Sequence, residues 1–401
     1  MIEESEARSR ILSAVQSLPQ ELLPLVSALG RYSAVDLRAK VAMPGFDNSA
    51  MDGYAVRASD ATLGAELKVS GEQAAGRDNA LRVESGCCVR IFTGAPIPDG
   101  ADAVVMQEDV ERKGDVIVIT EASEPGEFIR RRGADLCEGQ MILRAGDSIS
   151  SRGIGLLASQ GLAEIAVGRI PKVAVVTTGS ELVPPGRPLE SGEIYNSNGP
   201  MLEALVRETA GVRVEILRFH AADDEAALRA VLEEALAKSD VVIVSGGVSV
   251  GDHDLVKPVL ESLGVGAGFW RVKVKPGKPL LFGSHDKGAC VFGLPGNPVS
   301  SYVTFQLFVR PAILRMMGAG DASLEMRPLE CALSADVRNR GDRPHYLRGH
   351  YRSETCEFVP ATMQQSHALF GLSQSDALLR LDPEETIEKG ARVRIFMGRH
   401  G

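Results

Sequence analysis

At 401 residues the chain exceeds one ordinary hydrophobic core, so two to four domains are expected. Its 44% apolar and 24% charged residues argue against disorder, and no apolar run nears the roughly 18 residues of a membrane span. A net charge of −9 without a long basic run argues against nonspecific nucleic-acid binding, although a small anionic ligand depends only on local charge.

The N-terminal stretch MIEESEARSR is acidic and has no apolar core, so it does not read as a signal peptide and a cytoplasmic location is expected. Residues 8–29 carry helical spacing at Ile11, Leu12, Val15 and Leu18, interrupted by Pro19 and Pro24. Residues 31–150 are β-dominated, with short runs at Leu67–Val69, Cys88–Phe92, Ala103–Met106 and Val116–Ile119, and a helix follows at Gly153–Gln160. From Lys172 strands and helices alternate. KVAVVTT is a strand, Pro200–Glu208 a helix, VRVEILRF a strand, and Ala226–Lys238 a helix capped by Asp223 or Asp224. DVVIVSGG is a buried strand, Asp254–Leu263 a helix, CVFGLPGNP a strand and turn, and Val299–Met317 a long helix. Repeated β-α units of this kind predict an open parallel sheet covered on both faces, with ligands outside the carboxyl ends of its strands. Short β-like runs return at Leu329–Leu333, Tyr346–His350, Phe358–Val359 and Val393–Phe396, as in a small separate β domain. The six cysteines (87, 88, 137, 290, 331 and 356) form no CxxC pair, and buried reduced thiols are expected.

The chemistry-bearing loops follow the predicted strands. Thr177-Thr178-Gly179-Ser180-Glu181 offers hydroxyls, free amides and a carboxylate. Ser245 through Asp254 holds three glycines that let the main chain approach a phosphate, and Asp252 and Asp254 to hold a divalent cation. Lys273 through Pro279 places three lysines on a stiff turn. Leu294 through Ser301 is a rigid turn entering a helix whose N-terminus favours an anion. Singly, each is an ordinary turn or solvated face. Together they point to a phosphate-containing or oxyanionic ligand with a metal. In the β-rich half, Pro44 through Ala55 reads as a structured polar loop. Thr93-Gly94-Ala95-Pro96 and Arg130-Arg131-Arg132-Gly133-Ala134-Asp135 follow it, the arginines being either solvated or oxyanion partners.

FDNSAMDGYAV, TGAPIPDGADAVVMQED, RRRGAD, TTGSEL, SGGVSVGDHD, KPGKP and GLPGNPVSS occur in the order found in the molybdenum-cofactor family that contains MoeA and the gephyrin E domain, which the chain resembles from near residue 10 to its C-terminus. The resemblance implies a multidomain α/β protein with a central doubly wound parallel-sheet domain of molybdopterin-binding type at 170–325. A helical/β linker domain would comprise 1–43 plus 138–169, a β-rich insert 44–137 and a β-barrel-like C-terminal domain 326–401. It also implies a homodimer whose active sites are shared with the partner's insert. The implied reaction inserts molybdenum from molybdate into adenylyl-molybdopterin, releasing AMP, with Mg2+ as cofactor.

By matching motifs, Asp52, Thr93, Glu181, Asp223 and Asp254 take catalytic roles, Asp223 and Asp254 also holding the metal. Arg130, Asp135, Gly246, Gly247, Ser249, Lys275, Lys278, Pro295, Pro298 and Ser300 take substrate-binding roles, with Arg348 and Ser366 as molybdate contacts. The chain departs from the family pattern at Trp270-Arg271, at Gln364-Gln365-Ser366 and at Pro44-Gly45. The first two bear on the molybdate contacts. Two rival readings are a molybdopterin adenylyltransferase, because the same sheet domain serves that step, and a non-catalytic scaffold of gephyrin E-domain type. The flanking domains and FDNSAMDGYA favour insertion over the first, and the complete acidic and basic sets favour it over the second. Other cofactor-biosynthesis enzymes are candidate partners. Tungstate is too like molybdate in size and charge for sequence to separate them.

Overall fold

A computed structural model describes residues 1–247, 255–286 and 288–398. It divides into two compact units: one of residues 1–35, 145–158 and 162–401, the other of residues 36–144 and 159–161.

The first unit is built on a six-stranded sheet, whose strands we number β1 (Val173–Thr178), β2 (Ile216–Ala221), β3 (Val241–Ser245), β4 (Val265–Arg271), β5 (Pro279–His285) and β6 (Cys290–Leu294). Their spatial order is β2–β1–β3–β6–β5–β4. The four strands β2, β1, β3 and β6 pair in parallel, while β5 is antiparallel to both β6 and β4. β4 therefore points the same way as β6. Helices cover both faces, as the apolar runs require. On one face Val173, Val175 and Ile243 pack with Leu202, Leu205 and Val206 of helix Asn198–Ala210 and with Val299 and Val303. On the other, Ala174, Val176 and Val244 pack with Leu228 and Leu232 of helix Glu225–Lys238 and with Val259 and Leu260. Burying each such side chain contributes about 1.5–3 kcal/mol. Helix Glu225–Lys238 is capped by Asp224, which accepts from the Ala227 amide at 2.8 Å, and not by Asp223.

Some boundaries depart from expectation, for identifiable reasons. The helical spacing over 8–29 yields a helix only at Glu4–Ala14. Past Pro19 the chain is a strand, Gln20–Pro24, paired with Glu164–Gly168, because the two prolines remove helical N–H donors. The expected helix 299–317 is α-helical at Pro298–Thr304 and Arg310–Met316, with a π turn over Phe305–Val309. Pro311 has no N–H for the carbonyl four residues back, which accounts for the widened turn. Strands β4 and β5 were not expected at all. The C-terminal part closes into a five-stranded barrel, whose strand Ala377–Leu381 the β-like runs did not mark.

The second unit holds a six-stranded sheet. The segment expected to be loop contains its strand Gly53–Val56, which pairs with both Cys87–Ile91 and Ala103–Met106. Gly53 is needed there, since a Cβ would lie 2.0 Å from the Val105 carbonyl oxygen. All six cysteines are free. Cys137 and Cys356 are exposed, against the expectation of burial, whereas burial pushes the Cys88 and Cys290 thiols up to about 12 and about 11. No helix among the described residues is long and apolar enough to cross a membrane.

Candidate active site

β1 runs to β2 at one edge of the sheet, and the chain then returns to β3 on the other side of β1. The strand order thus reverses between β1 and β3, where a crevice forms at the carboxyl ends. Gly246 and Gly247 follow β3 with φ of +97° and +60°. A Cβ on Gly246 would lie 2.7 Å from Thr178 Oγ1 and 2.8 Å from the Thr178 carbonyl oxygen, so only glycine lets these two loops meet. A Cβ on Gly296, in the turn after β6, would lie 3.9 Å from the Gly246 Cα, so a third loop joins them. Asn198, buried at the start of its helix, ties the group together: its Nδ2 donates to Ser245 Oγ at 2.9 Å and to the Gly296 carbonyl at 2.7 Å. Two buried oxygens here, Thr178 Oγ1 and Asn198 Oδ1, have no hydrogen-bond partner among the described residues.

At the β2 side, Asp223 Oδ2 accepts from the Ser180 amide at 3.0 Å, and the Asp223 amide donates to Ser180 Oγ at 3.1 Å, a reciprocal clasp between the loops after β1 and β2. The Glu181 carboxylate folds back over Gly179. Both acids are exposed. The expected Ser249, Asp252 and Asp254 lie outside the described residues. Among the described residues no cluster of three metal-ligating side chains occurs.

At the far side lies the turn between β4 and β5, also on the carboxyl edge because β4 is aligned with β6. Lys275 and Lys278 are exposed on it, and the Lys275–Pro276 bond is cis. Gly277 packs against Thr304, where a Cβ would lie 2.5 Å from Cγ2. The C-terminal barrel meets this turn: the Lys275 amide donates to the Pro344 carbonyl at 2.8 Å and the Tyr346 amide to the Lys275 carbonyl at 2.8 Å. The Ser366 carbonyl accepts from the Val299 amide at 3.2 Å, which brings Ser366 to the helix that Pro298 begins and beside the buried Ser300. Pro295 accepts from the Ser301 hydroxyl through its carbonyl.

Arg348 is not a surface cation here. It is 1% exposed and donates to the carbonyls of Ala368 (3.0 Å), Met363 (2.8 Å) and Gln365 (3.2 Å). No carboxylate among the described residues pairs with it, and burial lowers its pKa. The Gln364 side chain closes the same loop, accepting from the Arg348 amide at 3.1 Å and donating to the Arg348 carbonyl at 2.8 Å. Buried His345 lies among Lys275, Arg348 and Arg343; desolvation first and those cations second push its pKa down to about 4. It is neutral at neutral pH.

In the second unit Asp52 Oδ1 accepts from both the amide and the hydroxyl of Thr93, each at 2.8 Å. These two bonds, with a smaller contribution from Arg90, hold its carboxyl below the ordinary 3.8. Arg90 lies over both the Tyr54 and Phe92 rings at 5.0 Å and donates to the Gly53 carbonyl and Gln107. Arg130 is exposed near the Ala50 carbonyl, 3.5 Å away. Arg131 and the Arg132 amide both bind Asp47. Asp52, Thr93 and Arg130 are thus gathered on the segment 47–52, whereas Asp135 sits with Met43. No local pattern marks Asn198, Arg90 or His345; each is an isolated polar residue whose partners are distant in the chain.

A covered α/β sheet whose anion-suited loops all open on one edge is the architecture of a ligand-binding domain, and residues 174–315 match the family described as "Probable molybdopterin binding domain". Residues 2–161 match the MoeA N-terminal region (domain I and II) and 330–396 the MoeA C-terminal region (domain IV). The chain belongs to the MoeA family. It is 37% identical to a molybdopterin molybdenumtransferase of Haemophilus influenzae, covering 98% of each chain. It is also 37% identical to molybdopterin molybdenumtransferase 2 of Mycobacterium tuberculosis, covering 93% of each. A crystal structure of the molybdopterin biosynthesis MoeA protein from Pyrococcus horikoshii OT3 matches with a TM-score of 0.84 at 30% identity, over 99% of this chain and 100% of that one.

Proposed function

We propose that the protein inserts molybdenum from molybdate into adenylyl-molybdopterin, with hydrolysis of the phosphoanhydride and release of AMP. The observation that carries this reading is the row of loops on one carboxyl edge: the Ser180–Asp223 clasp, the glycine crevice, the turn at Gly296 and the Lys275–Lys278 turn. Such a row suits an elongated substrate with a phosphate near its middle and an oxyanion at one end. The names of full-length relatives at 37% identity support it.

In this scheme Lys275, Lys278, Ser300 and Ser366 receive molybdate, and Gly246, Gly247 and Ser249 cradle the phosphates. Pro295 and Pro298 stiffen the turn that presents Ser300. Arg348 is a positioning residue that fixes the 363–368 loop. Asp223 and Asp254 would hold magnesium. Asp223 keeps one carboxylate oxygen outside its clasp with Ser180, and magnesium needs only one or two carboxylates when substrate phosphates and water complete its shell. Bound there, the ion would neutralise charge on the phosphoanhydride. Glu181 handles the proton of the hydrolytic water.

Asp52, Thr93, Arg130 and Asp135 act from the insert of the partner subunit in a homodimer. Leu22, Val26 and Leu29 are 62%, 78% and 58% exposed, an apolar stretch suited to such an interface. A division into four domains, at 1–43 plus 138–169, 44–137, 170–325 and 326–401, is part of the same proposal. Six free thiols fit a cytoplasmic protein.

The test is a reaction of purified protein with adenylyl-molybdopterin, Mg2+ and molybdate, following AMP and cofactor together. AMP and active cofactor appearing together supports insertion. An inert mixture, with molybdopterin and ATP instead giving the adenylylated pterin, hands the reading to the adenylyltransferase. Tungstate in place of molybdate measures oxyanion preference in the same tube.

A further inference from the structure

Where the C-terminal barrel meets the turn between β4 and β5, a buried histidine has no role in the scheme above. His345 is 6% exposed, and its Nδ1 has no hydrogen-bond partner among the described residues. We propose that His345 is a positioning residue of the oxyanion site, taking up a proton when a tetrahedral dianion binds at the lysine turn. It thereby adds a cation to that site only while the dianion is held there. This role rests on the insertion reading, in which Lys275 and Lys278 receive molybdate, and extends it.

The backbone sets His345 against Lys275. The two are partners in a parallel bridge, which the Lys275 amide closes on the Pro344 carbonyl and the Tyr346 amide on the Lys275 carbonyl, both at 2.8 Å. Opposed residues of such a bridge put their side chains on the same face. Arg343 and Arg348 flank His345 in the chain, and Arg343 Nη1 donates to the Val274 carbonyl at 3.3 Å, which holds that guanidinium at the base of the turn. His345 therefore stands among three cations contributed by two elements.

Among the described residues, the other neighbours bring no carboxylate to offset them. Across the barrel His345 pairs with apolar Leu381. Tyr346 faces the other way along the strand, its hydroxyl donating to Glu4 at 2.5 Å, and Glu4 also pairs with Arg380 at 3.5 Å. Asp342 is engaged with Arg343 at 3.5 Å and Asp382 with Arg380 at 2.6 Å.

Without a bound anion two effects keep the ring neutral. Burial acts first, and repulsion from Lys275, Arg348 and Arg343 adds to it, so that the pKa falls to about 4. A dianion on Lys275 reverses the second effect, because two negative charges then face the ring beside the positive ones. A neutral imidazole carries one proton on its two nitrogens, so the ring has room for a second, and no carboxylate holds that proton once the oxyanion has gone. The pKa of His345 is thus higher in the complex than in the free protein. Oxyanion affinity therefore rises as pH falls between those two values and is level above the upper one. The lysine turn is spared a further positive charge when nothing is bound, and gains it when a dianion must be gripped.

The experiment is calorimetric titration of the full-length protein with sodium molybdate near pH 6.5, in two buffers of different ionisation enthalpy, for wild type and His345→Gln. The wild-type heats should differ between buffers by the equivalent of roughly half a proton or more taken up per molybdate, and affinity should fall about three- to tenfold from pH 6.5 to 7.5. His345→Gln should give the same heat in both buffers and an affinity level over that range. Equal heats in wild type, or undiminished uptake in His345→Gln, overturn the role of His345. Nitrogen-15 spectra of the wild-type histidine rings need no variant, and so decide the matter even if His345→Gln does not fold. One neutral ring should become doubly protonated with saturating molybdate and not with sodium chloride of equal ionic strength; rings unchanged by molybdate overturn the role. Molybdate-triggered AMP release from adenylyl-molybdopterin, run in parallel on wild type, tests the insertion reading separately. Release with molybdate bound but no proton taken up removes the role of His345 alone. Proton uptake without AMP release removes the insertion reading and leaves an oxyanion site coupled to His345. Wild type that binds no molybdate at all overturns both.

Discussion

Replacing Arg348 separates two roles, that of a bare charge and that of a buried hydrogen-bonding fork. Its three bonds to the carbonyls of residues 363, 365 and 368 are charge-assisted, each contributing about 1.5–3 kcal/mol gross. The desolvation of an unpaired guanidinium, several kcal/mol, offsets much of that sum. Arg348→Met should therefore lose about 3 kcal/mol, because three carbonyls lose their donors. Arg348→Lys keeps the charge but cannot span three acceptors, and should lose about 2 kcal/mol. In both, the 363–368 loop should become sensitive to protease, and the molybdate concentration for half-maximal AMP release should rise together with loop mobility, since the Ser366 carbonyl no longer anchors Val299. Urea denaturation, limited proteolysis and the molybdate dependence of AMP release measure these effects. Lysine behaving as wild type while methionine is inactive would refute the argument, because charge acting directly on the oxyanion would then be what matters.

Three other outcomes are expected. Gly53→Ala should disrupt the β-rich unit, as its Cβ would stand 2.0 Å from a strand carbonyl; unchanged far-UV circular dichroism and melting would contradict the pairing described. The Asp52 carboxyl, held low first by the Thr93 amide and hydroxyl, should titrate below the ordinary 3.8, so its contribution to the Thr93 clasp is lost only as pH falls through that depressed value. A carbon-13 titration of Asp52 with its midpoint above 4 would rule this out. His345 has a folded pKa near 4 against 6.5 when unfolded, so the unfolded chain binds more protons between those values. Stability in urea should fall as pH drops from about 6.5 to about 4, and His345→Asn should flatten that slope; an equal slope in the variant would sink the assignment.

The core sheet was legible because β1, β3 and β6 are continuous apolar runs, and continuity is what burial on two faces demands. β4 and β5 were not, since Val265–Arg271 is diluted by two glycines and β5 joins it through a turn whose lysines and prolines drew attention away from strand pattern. Gly53–Val56 was hidden in a run of small polar residues, where only the close approach to Val105 explains the glycine. For the site, motif order located the loops, but not what each side chain does within them. Arg348 sits on a barrel strand, and its burial depends on a loop 15–20 residues further on. Asn198 gains its role from partners at 245 and 296, contacts that no local pattern encodes.

In the proposed reaction the carboxyl-edge loops bind molybdate and thereby trigger loss of the adenylate. Single-turnover release of AMP from adenylyl-molybdopterin, measured against molybdate concentration for wild type and Lys275→Ala, tests it most directly. Release should be negligible without molybdate and saturable with it in wild type, with the saturation curve of Lys275→Ala moved to roughly tenfold higher molybdate, as for loss of one charged contact. Release that ignores molybdate, or coincident curves for the two proteins, would contradict the account.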